Sequence, residues 1–217
     1  GHRAGSKAVR AVVKTCRSMG IPCLTLFAFS AQNWERPRRE VLALMDLLGE
    51  FIASEWREIM ERDIRVVQLG ESRRVPADVR RQLRRLIHET RRNRSMTLAL
   101  ALSYGAREEI VRAARILCRR VEAGKMACRE LDEASLAGVL YTRGLPDPDL
   151  IIRTGGERRI SNFLLWQSAY AEYVFSRKLW PDFGAQDLRE AVLAFQKRRR
   201  RFGLTDEQIR EPRAERD

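Results

Sequence analysis

Apolar positions along this chain keep to two rhythms, and each switch between them marks the edge of an element. Ala8, Val9, Val12, Val13 and Cys16 recur at helical spacing between Ser6 and Met19, and Gly20 stops the run. Cys23-Leu-Thr-Leu-Phe-Ala-Phe29 reads as a buried strand ending at Ser30, followed by a polar loop over 31–36. Pro37 suits the first turn of a long helix reaching about Arg62, weakened midway by Gly49. Ile64 to Leu69 is a strand ended by Gly70, and Pro76 to Arg92 an amphipathic, arginine-rich helix. Thr97 to Ser103 is a strand ended by Tyr104-Gly105; helices follow over Arg107 to Ala123 and Asp132 to Leu140. A short strand over Leu150 to Arg153 leads into a Gly-rich turn. Beyond it, Phe163-Leu164-Leu165-Trp166 reads as the start of a buried helix. Tyr173 to Phe175 is a short strand, and Ala185 to Phe202 the last helix.

Strand and helix alternate throughout. That pattern predicts a single α/β domain with a mostly parallel central sheet flanked by helices. A chain of 217 residues fits one such domain. No repeat, linker or low-complexity segment divides it, and 204–217 reads as a charged tail. No apolar run approaches the roughly 18 residues of a membrane span, and no signal peptide is read at residue 1.

Charge changes the picture. The formal net charge is +13, and lysine stands only at Lys7, Lys14, Lys125, Lys178 and Lys197, so arginine carries the excess. Two explanations stand: an anionic partner, or an arginine bias on a solvated surface. The run Arg198-Arg199-Arg200-Arg201 reads as a solvated helix end, and His88 as a surface residue. Cys16, Cys23, Cys118 and Cys128 form no C-x-x-C pair, which speaks against zinc and for core filling. The chain holds no G-x-x-x-x-G-K-[ST] loop and no G-x-G-x-x-G fingerprint, so nucleotide binding lacks support, and it holds no Asp-Asp-x-x-Asp motif of the kind that binds Mg²⁺. Nucleic-acid binding lacks a reading motif or aromatic platform.

Candidate chemistry collects just after predicted strands, where a parallel sheet binds ligands. Arg153-Thr-Gly-Gly-Glu157-Arg158-Arg159-Ile160-Ser161-Asn162 joins two glycines, three arginines and a Ser/Asn pair at a predicted strand-to-helix turn. Glycines let backbone N–H groups crowd an anion, a helix N-terminus adds partial positive charge, and arginines grip phosphate oxygens bidentately. The expectation is a phosphate or diphosphate site. Asn33-Trp34, with Ser30 and Arg36 beside them, read either as a loop plugging an apolar gap or as a flap over substrate. Glu172, between two apolar stretches, is either an ion-pair partner or a ligand for Mg²⁺.

A resemblance emerges from the ordered motifs. These are His2-x-x-Gly5, Phe27-Ala28-Phe29-Ser30-x-x-Asn33-Trp34-x-Arg36-Pro37, Ser103-Tyr104-Gly105 and Leu145-Pro-Asp-Pro-Asp-Leu150-Ile-Ile-Arg153-Thr-Gly-Gly-Glu157. Ser161-Asn162-Phe-Leu-Leu-Trp166-Gln-x-Ala-Tyr170-x-Glu172, Leu179-Trp-Pro-Asp-Phe183 and Arg201-Phe-Gly203 complete the set. Over residues 1–203 the chain resembles the cis-prenyltransferases, undecaprenyl diphosphate synthase being the nearest type. The resemblance implies repeated condensation of isopentenyl diphosphate onto a farnesyl- or geranyl-type allylic diphosphate, with Mg²⁺, in a homodimer. It implies that Arg153, Arg159, Ile160 and Ser161 hold isopentenyl diphosphate and that Asn33 handles the proton. His2, Ser30, Ala31, Gln32, Trp34 and Arg36 would contact substrate, and Glu172 would bind metal. It also implies an apolar tunnel, whose walls we expect from the helices at 40–62 and 76–92, and a product able to contact membrane. A cytosolic or plastid-stromal location fits.

Three departures qualify this. The family's Asp-Gly-Asn-Gly-Arg-Trp segment belongs upstream of His2-x-x-Gly5, so the Asp for Mg²⁺ and the donors for the allylic diphosphate are expected before Gly1. A domain lacking that strand leaves open a non-catalytic subunit of the same fold. Gln32 stands where Glu is usual, and Arg158 replaces a common His or Lys.

Overall fold

The computed structural model describes residues 2–198, with side chains from Gly5 onward. His2 therefore enters as backbone alone. The Arg201-Phe-Gly203 motif and the 204–217 tail lie outside the described residues.

Each predicted strand is found, and each is short and apolar enough to be covered on two faces. The helix α1 (His2–Ser18) buries Ala8, Val12 and Cys16, a single stripe at four-residue spacing. Gly20, at φ 70°, turns the chain out of it, while Ile21 N–H bonds Cys16 C=O at 3.0 Å. β1 (Cys23–Ser30) then runs into a 3₁₀ turn over Ala31–Glu35. α2 (Arg38–Glu61), β2 (Ile64–Leu69), α3 (Ala77–Glu89), β3 (Met96–Tyr104) and α4 (Ala106–Glu122) follow. α5 spans only Glu133–Ala137, shorter than the expected 132–140. β4 (Leu150–Arg153), β5 (Glu172–Phe175) and α6 (Ala185–Gln196) complete the described chain.

The strands pair in parallel, as the alternation requires, but in two pieces. β3 lies between β1 and β2 in one sheet, while β4 and β5 form another. β3 is the hydrophobic axis: all but one of its residues are buried, as expected of a strand covered on both faces. α2 is amphipathic twice over. Val41, Met45, Gly49 and Ile52 face the core, where α2 meets α3, and Leu44, Leu48 and Phe51 line a cavity beside β1.

Two irregularities shape the C-terminal edge of the larger sheet. The pairing of β1 with β3 slips around Ala28, a bulge that turns both Phe27 and Ala28 toward the cavity. Gly70 ends β2 at φ 108°, and a Cβ there would lie 2.3 Å from the Leu102 carbonyl oxygen. Beneath this edge sits Glu109, 1% exposed. It accepts from Tyr104 Oη at 2.5 Å, Tyr141 N–H at 2.6 Å and Gln167 Nε2 at 3.2 Å. Burial, with Glu109 beside it, pushes the Tyr104 phenol far up, so it stays a donor.

Two expectations are corrected. Cys16 fills the core, and burial pushes its thiol up to about 12, but Cys118 and Cys128 are exposed rather than core fillers. The run Phe163–Trp166 opens no helix: 161–170 is a series of turns, with Ser161, Asn162 and Leu164 at φ 53°, 59° and 46°. Left-handed residues cannot propagate a right-handed helix. The run is nonetheless packed inward, with Leu164 2% exposed and Phe163 stacked on Phe27 at 4.6 Å.

Gly70→Ala tests the strand end. Both the clash and the positive φ oppose a side chain, so the substitution is expected to cost about 2–4 kcal/mol in urea unfolding.

Candidate active site

A cavity of about 1200 Å³ opens between β1, β4 and helices α1 and α2. Its far wall is apolar, from Val9, Leu26, Leu44, Leu48, Phe51 and Trp180. Its mouth is polar, built where β1, β3 and β4 end. Among its lining residues stand four arginines, Arg36, Arg107, Arg153 and Arg159, and one carboxylate, Glu108. The mouth is therefore positive, with a greasy interior behind it. That is the complement of an amphiphile with an anionic head.

The expected tunnel walls are half right. α2 supplies its second apolar stripe, but α3 lines none of this cavity, being held on the opposite side of α2. α1 and β1 take its place.

The segment after β1 is held by a reciprocal pair of bonds. Ser30 Oγ accepts from Asn33 N–H at 3.2 Å, and Asn33 Oδ1 accepts from Ser30 N–H at 2.9 Å. This capping box fixes the Asn33 side chain and leaves its Nδ2 donor available. Ser30, Gln32, Asn33 and Arg36 all line the cavity. Arg36 is paired with Glu40 at 2.7 Å, an exposed i,i+4 pair worth little and easily exchanged for a better anion. Trp34 and Ala31 do not line the cavity. The Trp34 indole packs edge-on against Phe29, donates to Ser103 Oγ at 2.8 Å and lies under Arg74. Of the two readings of Trp34, the gap-filling one matches this placement, and the loop is anchored through it.

The segment after β4 is organised differently from expectation. Gly155 and Gly156, at φ 86° and 76°, turn their N–H groups onto Lys178 C=O at 2.7 Å and Ser176 C=O at 2.9 Å. Those donors tie the loop to the chain after β5 and do not face an anion. No helix follows to contribute a dipole. The arginines carry the site instead. Arg153 Nη1 bonds Arg159 C=O at 2.6 Å and Ser161 Oγ at 2.7 Å, which folds the loop back over the strand end. Its Nε is buried without an acceptor. A buried charged donor lacking a partner is where an anionic oxygen fits. Arg159 is ion-paired with Glu157. Ile160 and Ser161 complete this side of the lining.

Asn162 joins the loop to α4. Its carbonyl accepts from Ala106 N–H and its Oδ1 from Arg107 N–H, both at 2.9 Å, so it caps α4 from across the fold. Sequence reading placed Asn162 in the anion-binding turn but missed its capping role, and it passed over Arg107 and Glu108. The capping partner is 55 positions away from Arg107, beyond any local signal.

Glu172 does not join the cluster. It opens β5 opposite Leu150, whereas Arg153 pairs with Phe175 at the other end; three residues of strand separate them by roughly 10 Å. Its carboxylate accepts from Arg198 at 2.7 Å. Of its two readings, the ion pair is the one formed here. Among the described residues no three His, Cys, Asp or Glu side chains come together to hold a metal. The donor set of this chain's described residues does not by itself fit Mg²⁺.

Removing the cap tests the junction: Asn162→Ala is expected to cost about 1 kcal/mol, and more if Glu108 also loses its partner, read as a lowered midpoint of thermal unfolding.

Comparison with known proteins places the sequence and the fold. A prenyltransferase family model described as "Putative undecaprenyl diphosphate synthase" matches residues 1–203. An isoprenyl transferase of Clostridium perfringens is 46% identical over 203 residues, covering 94% of this chain and 80% of that protein. The ditrans,polycis-undecaprenyl-diphosphate synthase ((2E,6E)-farnesyl-diphosphate specific) of Pseudomonas aeruginosa is 46% identical over 209 residues, covering 96% of this chain and 83% of that one. Among solved structures, lavandulyl diphosphate synthase from Lavandula x intermedia in complex with dimethylallyl diphosphate superposes with a TM-score of 0.91 at 36% identity. That match covers 94% of this chain and 88% of the other. The match over residues 1–203 and relatives of this identity show that this chain is a member of the cis-prenyltransferase family of undecaprenyl diphosphate synthases.

Proposed function

We propose that the protein condenses isopentenyl diphosphate onto a farnesyl- or geranyl-type allylic diphosphate to make a cis-polyprenyl diphosphate. The observation that carries this reading is the juxtaposition of Arg153, Arg159 and Ser161 with an apolar cavity wall. At about 0.8 kcal/mol per buried CH₂, a fifteen-carbon tail gains roughly 10 kcal/mol gross from such a wall. The arginines give the head its place.

In this reading Arg153 Nε and Arg159 take the diphosphate of isopentenyl diphosphate, Ser161 adds a hydroxyl donor, and Ile160 packs beside it. Arg159 exchanges Glu157 for the substrate oxygen. Ser30, Gln32 and Arg36 border the allylic diphosphate, with Ala31 and Trp34 supporting them from behind. His2 joins the same head group from α1. The reaction breaks the allylic C–O bond and builds negative charge on the leaving diphosphate, which fixed cationic donors stabilise. The isopentenyl double bond supplies the electron pair for the new C–C bond, and a proton is then lost. Asn33, held by Ser30, orients that proton transfer with its amide; a carboxamide is no base, so the acceptor is another group.

An Asp-bearing strand of the kind the family resemblance implies would belong between β1 and β4, whose residues line the same cavity from separate sheets. Seated there it would join the two sheets and occupy part of the 1200 Å³, leaving the space against α1 and α2 for the prenyl chain. Mg²⁺ belongs to this proposal through that Asp, with Glu172 released from Arg198 and acting from the partner-facing side of a homodimer. When bound it would offset diphosphate charge. A homodimer is part of the reading, supported by exposed Phe175, Leu179 and Tyr170. No described helix is long and apolar enough to cross a membrane. We place the enzyme in the cytosol or plastid stroma, handing a lipid product to a membrane.

The test is elongation of farnesyl or geranyl diphosphate with labelled isopentenyl diphosphate by the chain carrying its Asp segment. Labelled polyprenyl product that disappears with EDTA is expected; no product from any allylic primer overturns the reading. Arg153→Ala is expected to raise the KM for isopentenyl diphosphate at least about tenfold, the value of one lost charge-assisted bond. An unchanged KM removes Arg153 from the site.

A further inference from the structure

Glu108 is the one carboxylate in an otherwise cationic cavity mouth, and it faces neither arginine nor solvent alone. Its Oε1 accepts from Gln32 Nε2 at 2.9 Å, and its Oε2 accepts from Asn162 Nδ2 at 2.8 Å. Gln32 belongs to the 3₁₀ turn after β1, and Asn162 to the loop after β4. The glutamate therefore spans the mouth from one diphosphate-facing segment to the other. Gly105 makes room for it: a Cβ at that position would lie 2.2 Å from Glu108 Oε2 and 2.8 Å from Asn162 Nδ2. The Asn162 carbonyl and Oδ1 are committed to the α4 cap, and its Nδ2 donor goes to Glu108.

We propose that Gln32 and Glu108 form a latch that sets the position of the 31–36 segment over the arginine cluster, with Glu108 as a positioning residue for the transfer reaction. The pairing depends on one side being an amide. An amide donates to a carboxylate without adding charge. Two carboxylates at this distance would repel, and the segment would swing out. The opposite arrangement is chemically equivalent: a glutamine at 108 can donate to a carboxylate at 32 while its oxygen still accepts from Asn162. The latch is thus a matched pair, and its identity resides in the combination and not in either residue. Its link to the reaction rests on the function proposed above; its geometry does not.

The experiment reads the latch directly by hydrogen exchange at the 31–36 amides, compared among wild type, Gln32→Glu, Glu108→Ala and the double variant Gln32→Glu/Glu108→Gln. Exchange at Asn33 and Arg36, whose N–H groups are bonded in the closed turn, is expected to speed up roughly three- to tenfold in Gln32→Glu and Glu108→Ala. It is expected to return to within about twofold of wild type in the double variant, with melting temperatures confirming that all four fold. In the chain carrying its Asp segment, the KM for isopentenyl diphosphate should follow the same order. Wild-type exchange in Gln32→Glu, or a double variant no better protected than Gln32→Glu, overturns the latch. The restored exchange pattern without any prenyl transfer leaves the latch standing and overturns the function. The restored pattern with transfer but an unchanged KM overturns the positioning role.

Discussion

The site depends on one junction, the capping of α4 by Asn162. Residues 161–170 have no regular hydrogen-bonded structure of their own, yet they must hold Ser161 beside Arg153. A loop of that kind is defined only by what it is tied to. Asn162 ties it to the start of α4, Arg153 folds it onto β4, and the two glycines before it are tied to the chain beyond β5. The left-handed residues there are the cost of these attachments, borne because three separate elements determine them together.

The arginines and the apolar wall do different work. Burying a prenyl tail yields free energy in proportion to area but says nothing about where along the wall the tail stops. In the proposed reaction the arginines, fixed at the C-terminal edge of the strands, would supply that register by holding the diphosphate heads at the mouth. This also limits what the overall charge of +13 means. Helix-surface pairs such as Arg57 with Glu61 and Arg62 with Glu58 are neutral as pairs and exposed, so they carry none of that excess and contribute little stability. The charge that the proposed function uses is the small set lining the mouth.

The strands were legible because each is a short apolar run ended by Gly or a polar residue, and β1 to β5 fall within about a residue of where periodicity puts them. The arginines after β4 were legible as a cluster, and Arg153 and Arg159 line the cavity. What surrounds them was not. Phe163–Trp166 is as apolar as a buried helix start, and composition cannot distinguish that from buried turns; the difference lies in bonds from Asn162 to residues far back in the chain. The glycines were read for their N–H groups, but their N–H groups serve the loop's own closure. The cavity wall shifted from α3 to α1 because α2 carries two apolar stripes, and periodicity does not say which neighbour each meets.

The first turn of α4 explains why so much converges there. Successive helix residues point about 100° apart, so Glu108 and Glu109, adjacent in sequence, face opposite tasks. Glu109 turns inward and holds Tyr104, Tyr141 and Gln167 together under the sheet edge, while Glu108 turns outward and holds the two segments of the mouth. Both carboxylates sit at a helix N-terminus, whose partial positive charge favours them. A one-residue insertion between Gly105 and Glu108 would rotate the pair and place the outward acid in the core. The spacing of Tyr104, Gly105, Glu108 and Glu109 is therefore a single constraint: it couples the stability of the sheet edge to the shape of the cavity mouth.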